Sequence, residues 1–277
     1  MDRRELLMTI GAGLAFMPSG ALAQEDDAFA RALAELAGDM DAIEAANGVR
    51  ERFQRVAGDP VGARQASSWR RASDNPISAR ARELIITCEV SSQGAYERRY
   101  QNPVRPGGES GVTIGIGYDL GYASPQEFGA QWGGLLDPTT IATLSSVCGL
   151  KGADAQTALP SVTSVVVPWT QALSQFDDFL PYAVGKTEDT FRNCAELHPA
   201  ALGALVSLVY NRGPSLSATE ERRIEMREIA RLTRERNFTP IPAQIRSMKR
   251  LWQNDPSTRG LVHRRELEAL LFEEGLA

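Results

Sequence analysis

The stretch GVTIGIGYDLG, residues 111–121, decides the fold of this chain. Apolar residues alternate in it with small or polar ones, a pattern typical of a strand or hairpin. Six residues of straight strand would hold Thr113 and Asp119 about 20 Å apart. Gly115 and Gly117 permit a bend, so we expect a turn that brings the Thr113 hydroxyl and the Asp119 carboxylate together. The alternative is an ordinary glycine-rich hairpin with both side chains at the surface.

The sequence around this stretch is mainly helical. Asn75-Pro76 provides a helix start, and a helix is expected from there to about residue 90. Between residues 93 and 121 the only regular pattern is the hairpin. Further helices are predicted over residues 138–147, 168–180, 199–210, 220–237, 242–252 and 258–274. The fold class is therefore α+β, a small hairpin or sheet subdomain beside a mainly helical bundle.

The N-terminus has the form of an export signal. Arg3-Arg4 precedes an apolar stretch over residues 6–17, and Ala21-Leu22-Ala23 supplies a cleavage site. The apolar stretch is shorter than the ~20 residues of a membrane helix. We expect residues 1–23 to be a signal peptide of a periplasmic or secreted protein, with no stable membrane insertion after cleavage and with the export route open.

Residues 24–75 are expected to form a helical extension and a linker. Apolar residues recur at steps of three and four over 27–47, and a second short amphipathic piece covers 49–56. These helices are either a partner-binding arm or a pair packed on the main domain, and the pattern favours packing. Residues 64–75 are expected to form a polar linker, which leaves 76–277 as the main domain.

Composition excludes several functions. A net charge of −5 argues against nucleic-acid binding, which requires a basic face. Two histidines and three cysteines without CxxC spacing argue against a zinc site, and no cofactor is expected. An oxidising compartment permits disulfides. Because Cys88 lies in an apolar helix, Cys148 and Cys194 are the expected pair.

Glu89 is the first candidate for chemistry. It follows the apolar run 84–88 near the end of a predicted helix, where burial and the helix dipole would both favour its neutral form. A carboxyl with a raised pKa suits a general acid that protonates a glycosidic oxygen. A single Glu at a helix end is more often solvated, so the assignment depends on its neighbours.

The neighbours carry a resemblance. Glu89, the segment TIGIGYDLG (113–121), the segment ALVSLVYNRG (204–213), and Trp252 followed by GLVHRRE (260–266) together resemble the phage-type lysozymes, the muramidases of glycoside hydrolase family 24. The resemblance runs from about residue 76 to the C-terminus. It implies a lysozyme-like fold, peptidoglycan as the substrate, no cofactor, and hydrolysis of the β-1,4 bond between N-acetylmuramic acid and N-acetylglucosamine.

The catalytic order resembles that of the lysozyme-like domain of pesticin, a bacterial wall-degrading toxin. In the simplest phage lysozymes the aspartate precedes the threonine, but here Arg98 stands nearest that position. The resemblance therefore assigns proton donation to Glu89, and control of the water to Asp119 and Thr113. Room for that water implies inversion, with the carboxyl groups about 6.5–9.5 Å apart. Glu97 is a rival for the second carboxylate, as is Glu109 at the far side of the same loop.

Other residues are assigned to substrate by the same resemblance. Gly117 and Tyr118 are expected at the sugar, although the Tyr118 ring could equally pack. Asn211 and Arg212 are expected to face the cleft, the alternative for Arg212 being a solvated helix end.

Arg264 and Arg265 either bind muropeptide carboxylates or pair with Glu266 and Glu268, and we favour structural pairing.

Two other functions remain open. A lytic transglycosylase would cut the same bond without water and needs Glu89 alone. A non-catalytic wall-binding protein would keep the fold without the reaction. The sequence also leaves open whether the biological role is that of an endolysin, a wall-remodelling enzyme or a bacteriolytic toxin, and which protein partner, if any, it has.

Overall fold

A computed structural model describes residues 27–46, 71–107 and 110–277. The predicted signal peptide, the second amphipathic piece at 49–56, most of the linker and Glu109 lie outside the described residues.

The described chain is mostly helical, with one two-stranded antiparallel sheet, which confirms the α+β class. The helices and strands are α1 (Ala28–Gly38), α2 (40–46), α3 (Ala79–Val90), α4 (Gln93–Arg99), β1 (Thr113–Ile114), β2 (Tyr118–Asp119), α5 (Pro125–Trp132), α6 (Pro138–Ser145), α7 (Gly152–Ala158), α8 (Trp169–Thr190), α9 (Pro199–Arg212), α10 (Ile224–Arg234), α11 (Ile241–Ser247) and α12 (Arg259–Glu274).

Helix α9 is the centre of the core. Nearly all of its residues are buried, as expected for a helix that is apolar around its whole circumference. Helices α3, α8 and α12 pack against it. The approach to α3 is close, since a Cβ on Gly203 would lie 2.2 Å from the Cβ of Ala81. This contact fixes the first turn of α3 against α9, and Glu89 lies at the other end of the same helix.

Several helix boundaries differ from the prediction. Helix α3 starts at Ala79, because the Ser78 side chain caps it in place of Asn75-Pro76. Helix α8 continues through Pro181, where the sequence suggested a stop. A proline inside a helix costs about 3 kcal/mol or more, and burial of Ala183, Val184 and Thr187 beyond it offsets that cost.

Three short helices were missed, α4, α5 and α7. Each spans only seven or eight residues, too few to show a helical period clearly. Helix α5 nevertheless carries a recognisable start signal, a capping box between Ser124 and Glu127 with Pro125 at the first turn.

The N-terminal helices pack on the main domain. Helix α1 contacts α3 and α12, and its Phe29, Leu33 and Leu36 belong to the common core. Asp39 pairs with Arg259 through two hydrogen bonds of 2.8 Å. The described part of the extension, residues 27–46, thus packs on the main domain, as the pattern favoured. The second piece of the expected pair lies outside the described residues.

All three cysteines are free, so the expected bridge between Cys148 and Cys194 is wrong. The two thiols have different neighbours, Tyr118 near Cys148 and Glu188 near Cys194. Cys88 is a buried core thiol, as predicted. Burial raises the pKa of Cys88 and of Cys148 to about 11, which keeps both thiols protonated and unreactive.

Candidate active site

A cavity of about 280 Å³ opens beside the end of α3. Its walls come from the N-terminal helix α2, the end of α3, the 104–106 segment and the hairpin turn. The lining residues are Glu44, Glu89, Val90, Tyr100, Val104, Arg105, Pro106, Thr113, Gly115 and Gly117. The structure therefore brings Glu89, Thr113 and Gly117 of the predicted site to one cavity, about the size of a small-molecule site.

Glu89 is buried, as predicted, with 4 % of its surface exposed. Two residues later the backbone makes a tight γ-turn at Ser91, where φ is 66° and the Ser92 N–H donates to the Val90 carbonyl at 2.9 Å. A non-glycine residue in this conformation carries strain of roughly 1–3 kcal/mol. The Ser91 hydroxyl offsets part of it by donating to the Ala37 carbonyl at 2.8 Å. The turn ends α3 abruptly and leaves Glu89 at the cavity wall.

An arginine that the sequence placed far from Glu89 is its ionic partner. Arg264 Nη1 donates to Glu89 Oε1 at 3.1 Å, and both side chains are almost fully buried. Burial favours the neutral acid, whereas the guanidinium favours the carboxylate. Burial and the helix dipole are visible in the sequence, whereas this cation, 175 positions away, is not. Glu89 is therefore held by a buried ion pair as well as by apolar surroundings.

Arg264 belongs to a buried polar network. Its Nη2 donates to the carbonyl and hydroxyl oxygens of Ser207, both at 3.1 Å, and its Nε to Glu268 at 3.2 Å. Glu268 also accepts from Arg265 at 2.8 Å and from Ser207 at 2.7 Å. Burial lowers the pKa of Arg264, but the neighbouring Cys88, Glu89 and Glu268 reverse this and raise it, so Arg264 stays charged.

This network settles the structural role of two arginines. Both Arg264 and Arg265 pair with Glu268, as favoured from the sequence. Pairing with Glu266 does not occur among the described residues, because Glu266 is bound instead by Arg246 and Lys249.

The hairpin has the predicted turn. Thr113 pairs with Asp119 and Ile114 with Tyr118, so the Thr113 and Asp119 side chains lie on the same face. Gly115 has φ 58°, and a Cβ there would come within 2.8 Å of the Trp132 ring. The glycine is required both for the turn and for the packing beneath it.

Asp119 is turned toward the backbone. Its carboxylate accepts from the Gly111 N–H at 3.0 Å and from the Gly121 N–H at 2.8 Å. These bonds close the segment 111–121 into a compact loop. Thr113 lines the cavity, and Asp119 is not among the residues that line it. Asp119 thus organises the hairpin that carries Thr113.

Of the four residues expected to contact substrate, only Gly117 lines this cavity, and the other three are buried. Tyr118 is buried among aromatic side chains, with ring centroids 5.5 Å from Trp132 and 6.2 Å from Phe128. It packs, and a sugar cannot stack on it. Asn211 and Arg212 face the core, because α9 is buried to its last turn.

Asn211 accepts from Arg265 at 3.1 Å, which joins it to the buried network. The Arg212 guanidinium lies 5.1 Å from the centroid of the Trp252 ring. Burial, together with the charges of Arg265 and Arg223, lowers the pKa of Arg212 well below its usual range. Arg212 is therefore neither a cleft residue nor a solvated helix end.

Of the two rival carboxylates, only Glu97 is among the described residues. Glu97 is exposed on α4, accepts from Gln93 at 2.8 Å and does not line the cavity. The acidic residue that joins Glu89 in the cavity is Glu44, which sequence reasoning missed. Glu44 occupies a polar position of an amphipathic helix, and nothing in the sequence distinguishes it from other such glutamates.

No group of acidic, histidine or cysteine side chains in the described ranges could hold a metal ion. In the same part of the chain, no helix is long and apolar enough to cross a membrane.

No protein-family model matches the chain, and no curated protein matches it. The resemblance to phage-type lysozymes consequently rests on the sequence blocks themselves.

Proposed function

We propose that the protein is a peptidoglycan hydrolase with a lysozyme-like fold, a muramidase that cleaves the β-1,4 bond between N-acetylmuramic acid and N-acetylglucosamine. The observation that carries the proposal is the placement of Glu89: buried, paired with Arg264, and at the wall of a cavity that Thr113 and Gly117 also line. A carboxyl group in a cleft of this kind suits general acid catalysis on a glycosidic bond.

In the proposed mechanism Glu89, whose neutral form is favoured by burial, takes up a proton from solvent and donates it to the leaving glycosidic oxygen. The Arg264 guanidinium then stabilises the carboxylate that remains. Thr113, which lines the same cavity, orients the attacking water through its hydroxyl group. Asp119 lies beside Thr113 across the hairpin and, by the resemblance, acts as base on that water. This arrangement predicts an inverting reaction that needs no cofactor.

The orientation of Asp119 favours a second candidate. Because two backbone N–H groups bind its carboxylate and it is absent from the cavity wall, the site also fits a lytic transglycosylase. Such an enzyme uses the sugar's own hydroxyl in place of water and has no need of a second carboxylate. A non-catalytic wall-binding role has no specific observation in its favour.

The products distinguish these reactions. Mass analysis of muropeptides released from purified sacculi should show free reducing ends for the hydrolase, and Asp119→Asn should reduce their release severely. Anhydro-muramyl products, with full activity of Asp119→Asn, would replace the hydrolase by the transglycosylase. We further propose that the enzyme works in the periplasm or outside the cell, as the N-terminal sequence suggests.

A further inference from the structure

The N-terminal extension supplies part of the cavity wall. Glu44 on α2 lines the same cavity as Glu89 on α3, although the two residues lie 45 positions apart in the sequence. The extension therefore contributes chemistry to the site in addition to apolar packing.

Glu44 is anchored through one of its two oxygens. Arg99 forms an ion pair with Oε1, and the Tyr100 hydroxyl donates to the same atom at 3.2 Å. Among the described residues both bonds end on Oε1, so the lone pairs of Oε2 remain available to a further donor. The Glu44 side chain as a whole is 40 % exposed.

Tyr100 lines the same cavity as the two carboxylates. Burial, together with the charges of Glu44 and Glu89, raises its pKa above the usual value. The charges of both carboxylates therefore raise the pKa of the same phenol, so Glu44 and Glu89 share one electrostatic environment.

The wall formed by α2 is firmly docked. Asp39 caps α2 by accepting from the Ala42 N–H at 3.0 Å and is bound in turn by Arg259. Gly260 lies so close that a Cβ on it would come within 2.4 Å of the Ala42 carbonyl oxygen. Helix α2 is therefore packed directly against the start of α12.

We propose that Glu44 is a substrate-binding residue whose Oε2 accepts a hydrogen bond from a hydroxyl or N-acetyl N–H group of a glycan in the cavity. The proposal rests on the proposed function. A carboxylate accepts from such donors and repels the carboxylates of stem peptides. The sugar unit beside α2 is therefore an uncharged one, N-acetylglucosamine, and the peptide-bearing muramyl unit lies away from it.

Binding can be measured apart from catalysis. The full-length Glu89→Gln protein is titrated calorimetrically with tetra-N-acetylglucosamine, and the Glu44→Gln/Glu89→Gln protein beside it. The glutamine keeps a carbonyl oxygen for Arg99 and Tyr100 but offers an N–H2 group in place of Oε2. Loss of one hydrogen bond to a charged acceptor should weaken binding by about 10-fold or more.

Glu35→Gln is the matched control, because Glu35 is an exposed carboxylate on α1 of the same extension and does not line the cavity. It should bind the tetrasaccharide as tightly as its parent. With Glu89 intact, Glu44→Gln should raise KM by a similar factor and leave kcat within about 2-fold, a split that a general loss of folding would not produce.

Each outcome bears on the inference. If the tetrasaccharide binds equally well with and without Glu44, or if Glu44→Gln leaves the KM of an active enzyme unchanged, the binding role of Glu44 is overturned while the proposed hydrolase stands. If the affinity for the tetrasaccharide depends on Glu44 but the wild-type protein releases no muropeptides, the binding role of Glu44 is supported and the proposed hydrolase is overturned. Absence of tetrasaccharide binding by the parent overturns the binding role of Glu44 as well.

Discussion

Replacement of Arg264 by methionine tests the ion pair that holds Glu89. The substitution removes a guanidinium from Glu89, Ser207 and Glu268 while roughly keeping the volume of the side chain. Breaking a buried ion pair by removing one partner typically costs about 3–5 kcal/mol. For a protein of this size that loss lowers Tm by about 6–20 °C. Urea unfolding followed by circular dichroism measures the loss in the free energy of unfolding at constant temperature.

A double-mutant cycle separates the pair from the rest of the network. In the Glu89→Gln background the same Arg264→Met change no longer leaves a buried carboxylate without its cation. It should therefore cost at least about 1 kcal/mol less than in the wild type. Glu268 keeps Arg265 and Ser207 as partners in every variant, so its contribution cancels in the cycle.

The refuting results are specific. Additive losses around the cycle, or a cost of Arg264→Met below about 1 kcal/mol, would mean that Glu89 does not depend on Arg264. If Arg264→Met fails to fold, Arg264→Lys keeps the charge but not the fork of donors. It should then show an intermediate loss that the Glu89→Gln background again reduces.

Three further predictions concern the rest of the structure. Gly115→Ala should destabilise the protein by about 1–3 kcal/mol and lower activity, since its φ is positive and Trp132 blocks the Cβ; an unchanged urea midpoint would contradict this. The pKa of Asp39 is lowered mainly by the hydrogen bond from Arg259. The Asp39–Arg259 pair therefore stabilises the protein at neutral pH, and this stabilisation is lost as the pH falls through the lowered pKa of Asp39. The difference in urea midpoint between wild type and Asp39→Asn should accordingly vanish in acid, and a constant difference would refute the pair. A thiol reagent should count three free thiols after unfolding under non-reducing conditions, and one thiol would instead indicate a disulfide.

Much of the fold could be predicted because its signals are local. The long amphipathic and apolar helices are visible in the periodicity of the sequence, and the glycines at 115 and 117 indicate the turn that pairs Thr113 with Asp119. The α+β class follows from these elements alone. Helices of seven or eight residues and the continuation of α8 through Pro181 depend on packing in three dimensions, which no local pattern records.

The site was predictable only in part for the same reason. Glu89 and Thr113 could be found from their motifs, and both line the cavity. Tyr118 and Arg212 were misplaced because a motif does not state which side of an element faces the core. Arg264 and Glu44 reach the site across 175 and 45 residues of sequence, so no spacing rule connects them to Glu89.

The measurement that tests the central claim most directly is muropeptide release from purified sacculi by the wild-type protein and by Glu89→Gln. Glutamine keeps an acceptor for Arg264 but cannot donate the proton of a carboxyl group, and a general acid contributes about 10²–10⁴-fold to the rate. The wild type should release soluble muropeptides, and Glu89→Gln, folded to the same Tm within a few degrees, should release them at least ~100-fold more slowly. Equal rates in the two proteins, or no release by the wild type, would contradict the account.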